Sequence, residues 1–173
     1  METTAIKLSE SGKKSFEKGD FDTAIRSFSD AVKIYTKEEN FLDAAEAKNN
    51  LSVALLQAER AEESLESAKG TDLVFAEAKD LLRQAMALGN QAAALDALGQ
   101  MDEALENYTK SAALFGEVGE GDLEAMVLKS IAAIKLRHGK VQDSAYTMLD
   151  SLGATQKPNL LQRFLKFIMR IIR

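Results

Sequence analysis

His138 is the only histidine in this 173-residue sequence, and so the only side chain whose ordinary pKa brings proton exchange close to neutral pH. General acid or base work would need a second group to orient it, and none is evident nearby in the chain. Its place before Gly139 reads instead as the C-terminal end of a helix, where an imidazole is electrostatically at home. The Gly-rich stretch GEVGEG, residues 116–121, could suggest a phosphate cradle. It lacks a following Lys-Ser/Thr, and its own carboxylates would repel the anion. Glu117, Glu120 and Asp122 could approach a cation, but their spacing is not that of a calcium loop, and acids around glycine are generally solvated. The pairs Glu38-Glu39 and Glu62-Glu63 read the same way. With no Cys in the chain, thiolate chemistry and disulfides are closed to it, which fits a reducing, cytoplasmic setting. These residues predict no catalytic site, no metal and no cofactor, and no small-molecule substrate. Binding is the chemistry left.

A binding surface needs elements to hold it, and residues 88–115 show what they are. Leu88, Ala92, Leu95 and Leu98 fall three or four apart, as do Met101, Ala104, Leu105, Tyr108 and Leu114 beyond the turn at Gly99. This spacing predicts a hairpin of two helices. Shifting the sequence by 40 residues places Gly99 on Gly19 and Gly139, with Glu59 at the fourth place. Two columns stay small throughout: Gly12, Ser52, Ala92 and Ala132 before the turn, and Ala24, Ser64, Ala104 and Ser144 after it. Two others are bulky except in the second copy: Phe21, Ala61, Met101 and Val141, then Phe28, Ala68, Tyr108 and Met148. Small residues where helices cross and large ones between them are what close packing requires. A single hairpin cannot bury its apolar side, so the copies must stack.

The expected fold class is therefore all-α, in accord with a single Pro and no strand-like alternation. One domain spans 1–156, with repeats at about 5–40, 41–80, 81–120 and 121–156. Gly70-Thr71-Asp72 resembles a helix stop and restart, yet the 40-residue register places it inside a helix. The break is then expected near Ala76–Asp80, with Asp80 capping the next helix. GEVGEGD, after Phe115, is the clearest expected loop.

GDFDTAIRSFSDAV (19–32) and GQMDEALENYTKSA (99–112) resemble the tetratricopeptide repeat family. The family pattern falls on Leu8, Ser11-Gly12, Ser15, Ala24 and Phe28, and in the third copy on Leu88, Gln91-Ala92, Leu95, Ala104 and Tyr108. The resemblance covers roughly residues 5–155. It departs in its 40-residue period and in Thr36, Ala76, Gly116 and Gln156, which stand where the family closes with Pro. It implies a right-handed superhelical array of about four antiparallel hairpins, acting as a non-catalytic scaffold for protein partners. It also implies a concave binding face built from the first helix of each repeat. That face would show Ser9, Lys13 and Glu17; Glu46, Asn49, Val53 and Gln57; Met86, Gly89, Ala93 and Ala97; and Met126, Lys129, Ala133 and Arg137. Some relatives clamp a peptide's terminal carboxylate with several cations and Asn. Lys13 and Asn50 are present here, but Ser9 stands where a Lys is expected. A groove of Val53, Met86, Ala93, Ala97 and Met126 better suits an amphipathic helix, and the same residues could equally pack within the chain.

Charge divides the chain. Up to residue 156 there are 17 basic against 27 acidic residues, a net of −10, and beyond it Lys157, Arg163, Lys166, Arg170 and Arg173 give +5. An acidic body argues against nucleic acid as a partner. In NLLQRFLKFIMRIIR (159–173) four cations recur at intervals of three, four and three, one stripe on a predicted amphipathic helix. At about 1.5 Å per residue it is too short to span a bilayer. It could cap the last repeat, dock a partner, or lie on an anionic membrane as a peripheral anchor. Arg163, Phe164, Lys166, Phe167, Arg170 and Ile171 would carry the anchor. Nine large apolar residues of fifteen form too wide an arc for one buried face, which favours the anchor.

Overall fold

The computed structural model describes residues 4–155, which form nine α-helices and no strand. They are α1 Thr4–Glu17, α2 Phe21–Lys37, α3 Phe41–Gln57, α4 Ala61–Ala68, α5 Thr71–Glu77, α6 Leu81–Ala97, α7 Met101–Glu117, α8 Gly121–Arg137 and α9 Val141–Ala154. Helix starts recur every 20 residues from Phe21 onward, except where α4 and α5 divide one such interval. The predicted amphipathic helix at 157–173 lies outside the described residues.

One connector is used seven times. Its middle residue takes a left-handed conformation: Gly19, Glu39, Glu59, Lys79, Gly99, Gly119 and Gly139, with φ between 57° and 78°. The next residue's N–H then donates to a carbonyl five positions back, as Asn40 to Tyr35, Asp80 to Phe75 and Gln100 to Leu95, each at 2.9 Å. This closure satisfies carbonyls that a helix end leaves orphaned. GEVGEGD is accordingly not a long loop. Its second glycine, Gly119, makes the turn, α7 runs to Glu117, α8 begins at Gly121, and only Val118–Glu120 lie between them. Asp80 does cap α6, its Oδ1 accepting the Arg83 N–H at 2.9 Å.

Helices α1, α3, α6 and α8 are the first members of their hairpins, and α2, α4–α5, α7 and α9 the second. Each of α2, α4–α5 and α7 packs on the first helix of its own hairpin and on that of the next. The two small columns are buried at all eight positions. At Gly12 a Cβ would stand 2.6 Å from the ring of Phe28, itself buried. Where serine occupies the columns its hydroxyl is satisfied locally: Ser64 Oγ donates to the Ser52 carbonyl and Ser144 Oγ to that of Ala132, both at 2.8 Å. Apolar residues of consecutive helices fill the space between crossings, as where Tyr108, Ala112 and Phe115 of α7 cluster with Val127, Ile131 and Ile134 of α8.

The second hairpin corrects the expected continuity at Gly70. The helix stops at Ala68, Lys69 is extended, Gly70 has φ 77°, and α5 starts at Thr71. A Gly inside a helix costs only about 1 kcal/mol, so glycine alone does not force this. The break is held by its neighbours. The Thr71 hydroxyl lies 2.7 Å from the freed Ala68 carbonyl and 3.0 Å from Asn49 Oδ1 of α3, while Gln91 Nε2 of α6 donates to Ala68 O and to Asp72 Oδ1. Beyond the break, Phe75 is fully buried against Ala45 and Ala87. No residue is gained or lost: Phe75 keeps its column with the buried Tyr35 and Phe115.

Gly12→Ala sets helix propensity against volume. The change should gain up to about 1 kcal/mol in propensity and lose about 1–3 kcal/mol by overpacking against Phe28, whose burial leaves it no easy retreat. The variant should therefore unfold at lower denaturant than the parent, and an increase in midpoint would contradict this packing.

Candidate partner-binding surface

The surface expected to bind divides by column. Glu46, Met86 and Met126 stand in one column, with both methionines exposed, at 47% and 58%. Gln57, Ala97 and Arg137 are exposed in a second, and Lys13, Val53, Ala93 and Ala133 are exposed or half-buried in a third. Lys129 is also exposed. Asn49 is a correction: it is buried, its amide oxygen accepting from Thr71. The reason is angular. At about 100° per residue, positions 53 and 57 return to within about 20° of 46, whereas 49 lies about 60° round the helix. That turn brings it toward the α4–α5 junction. Gly89, in the same column, is half-buried, with space for a Cβ limited by Ser111 Oγ at 3.3 Å.

Ion pairs connect successive first helices along this surface. Lys13 Nζ lies 3.7 Å from Glu46 Oε1, Arg83 Nη1 lies 3.1 Å from Glu46 Oε2, and Arg137 pairs with Asp96. Arg83 also stands over the Phe75 ring and reaches Asp80, so it ties α3, α5 and α6 together. Such exposed pairs contribute little stability, typically below about 1 kcal/mol each. They do affect specificity. Lys13 and Asn50 share the lining of two shallow cavities, one of about 200 Å3 between α1 and α3 with Phe16, Glu17, Phe28 and Val53, but Glu46 already occupies the Lys13 ammonium. A site for a peptide's terminal carboxylate would meet that acid. The sequence contained a signal for one of these pairs, since Asp96 and Arg137 lie one repeat plus one residue apart. Glu46 with Arg83 has no such regular spacing.

A separate cavity of about 220 Å3 opens at the Gly70 break, lined by Phe41, Ala44, Ala45, Lys69, Thr71 and Val74 among others. His138 ends α8, its Nε2 against Met101 Sδ. Among the described residues no three carboxylate or imidazole groups converge as a metal would require. Displaced pKa values trace to local structure. The Arg83 backbone N–H and then its guanidinium hold Asp80 below the usual carboxylate range, Arg60 does the same to Glu63 and Lys110 to Glu106, and burial pushes Tyr108 up. None of these groups lines the cavities named above. No described helix is long and apolar enough to cross a membrane. Arg163, Phe164, Lys166, Phe167, Arg170 and Ile171 lie outside the described residues.

The division between inward and outward columns is testable. Asn49→Ala, which strips Thr71 of a buried partner, should cost about 1 kcal/mol, while Gln57→Ala should stay within about 0.5 kcal/mol of the parent. Urea denaturation of both variants measures this, and equal stabilities would contradict the placement of Asn49.

The architecture has solved counterparts. A putative kinesin light chain from Podosopora anserina, with nearly identical TPR-like repeats, superposes with a TM-score of 0.75 at 17% identity, covering 88% of this chain and 76% of that one. BtubC (BKLC) from P. vanneervenii gives 0.58 at 15%, covering 91% and 74%, and MamA 0.52 at 20%, covering 89% and 93%. At these identities the likeness establishes the fold, a TPR-like α-solenoid. No curated protein matches the sequence. The family profile described as "SNAP: Soluble NSF attachment protein, SNAP" matches residues 2–136. Most of the chain, with helices α1 to α7 and nearly all of α8, falls within that match, and the chain belongs to the soluble NSF attachment protein family.

Proposed function

We propose that the chain is a non-catalytic adaptor that receives an apolar segment of a protein partner, such as one side of an amphipathic helix, along the face formed by α3, α6 and α8. The observation that carries this reading is the exposed Met86–Met126 column. Two long, polarisable side chains stand one repeat apart on a face that the second helices leave open, with the small, exposed Ala97 at the far end of α6 on the same side. Thioethers adapt to varied apolar partners, and ridges at this spacing suit a helix laid in a groove. The fold supports it, since TPR-like arrays typically act as protein-interaction scaffolds. The family's name speaks of attachment to NSF, which makes a protein of that kind the first partner to try. The positive tail would add a location to this role, if it holds an anionic membrane, without replacing it.

Photo-crosslinkers at Met86 and Met126 should capture one partner from a native lysate, with little capture from the exposed Lys33 and Lys110 of the second helices. Met86→Glu and Met126→Glu should each weaken that binding by about tenfold or more, the loss expected from one buried apolar anchor, and leave the melting temperature unchanged. Capture from Lys33 and Lys110 alone, or undiminished binding by both variants, would overturn the reading.

A further inference from the structure

The second hairpin leaves open two positions that the other copies pack. Lys48 stands in the column of Leu8, Leu88 and Leu128, of which Leu88 is buried and the other two half-buried, yet Lys48 is exposed. Phe41 stands with Leu81 and Gly121, which are half-buried and buried, yet it is 62% exposed. At about 100° per residue, Phe41, Ala44 and Lys48 lie within about 60° of one another and about 160–220° round α3 from Glu46. They form one stripe on the side of the helix turned away from the Met86–Met126 face.

Where that stripe meets the second helix, the chain is broken. Asp30, Lys110 and Asp150, the counterparts of Gly70, lie inside α2, α7 and α9, whereas α4 stops and α5 restarts around Gly70 and the cavity of about 220 Å3 opens there. Phe41, Ala44 and Val74 give it an apolar lining, while Lys48 of α3 and Lys69, just past α4, line it with cations. Among the described residues neither lysine has an ion-pair partner, and no carboxylate lines the cavity. Asp72, the acid nearest the break in sequence, accepts from Gln91 Nε2 of α6 at 2.7 Å instead. The cavity is smaller than the roughly 300–1,000 Å3 of small-molecule sites, which suits a single side chain better than a cofactor. Two unpaired cations beside an apolar lining, in a body otherwise rich in acid, call for a guest that carries both carboxylates and an apolar group.

We infer that this cavity is a second docking site, taking an acidic peptide segment that inserts one large apolar side chain between Phe41 and Val74 and pairs its flanking carboxylates with Lys48 and Lys69. The probe is the acetylated, amidated peptide EEFEE, titrated into the isotope-labelled full chain and followed by NMR. At millimolar peptide, amide shifts should concentrate at Lys48 and residues 69–74, and the affinity should fall with added salt. EEGEE, which lacks the anchor, and KKFKK, with its charges reversed, should each bind at least about tenfold more weakly. Lys48→Glu combined with Lys69→Glu should lose EEFEE to the same degree. Lys48→Leu, which restores the residue of the other repeats, should also lose it while holding or raising the melting temperature. No shift with EEFEE, equal binding of EEGEE or KKFKK, undiminished affinity in the double variant, or full affinity or a lower melting temperature in Lys48→Leu would overturn the inference. So would shifts confined to the surroundings of Met86 and Met126, which would give the peptide to the opposite face. Perturbation of residues 69–74 by phosphatidylserine vesicles but not by the peptide would overturn it in favour of a membrane.

Discussion

Close approach of helices at the small columns is the constraint on which the rest of the structure depends. Gly12, Ser52, Ala92 and Ala132 allow each first helix to lie against its partner, and Ala24, Ser64, Ala104 and Ser144 answer from the other side, all eight buried. Larger side chains would prise these crossings apart, because protein interiors have no slack to absorb added volume. With the crossings closed, Phe28, Phe75, Tyr108 and Phe115 fill the spaces between hairpins. Each interior second helix is then held between two first helices, and the array is stabilised by neighbours alone, as solenoids are. Among the described residues the buried side chains form several clusters strung along the stack rather than one central core.

The same arrangement leaves one surface open. Second helices cover the sides of the first helices but not the line through Glu46, Met86 and Met126, so residues there are free of packing duty. Ion pairs cross that line without closing it, because Lys13, Glu46, Arg83, Asp96 and Arg137 remain partly solvated. Rigid backbone spacing with adaptable side chains is the usual condition for recognising a partner along an extended face.

Much of this was legible in the sequence because the repeat encodes volume. The small columns recur with a fixed offset and are buried at all eight positions, while of the large ones Phe28 and Tyr108 are buried and Val141 and Met148 stay exposed. Asp80 was readable as a cap for the same reason: its side chain acts on a backbone N–H three residues away, within the range of local rules. Gly70 was not readable. Its break depends on Asn49 and Gln91, which lie 21 residues to either side and supply hydrogen bonds that no local pattern announces. The connectors at Glu39, Glu59 and Lys79 were legible from the register although none is a glycine, and each takes the conformation that Gly19 and Gly99 made easy to recognise. Asn49 was misplaced for a finer reason. Residues three apart on a helix do not share a line, and a face drawn from 46, 49, 53 and 57 is wider than the surface left open.

The central claim is that nearest-neighbour packing runs unbroken through the array, including the junction at Gly70. Native-state hydrogen exchange of the full chain tests it most directly, by comparing opening free energies of amides in α3, α5 and α6. Phe75, Thr71 and Gln91 join these helices, so they should open as one cooperative unit with a common free energy and a common dependence on denaturant. Two separate units meeting at Gly70, with α3 opening independently of α5 and α6, would contradict it.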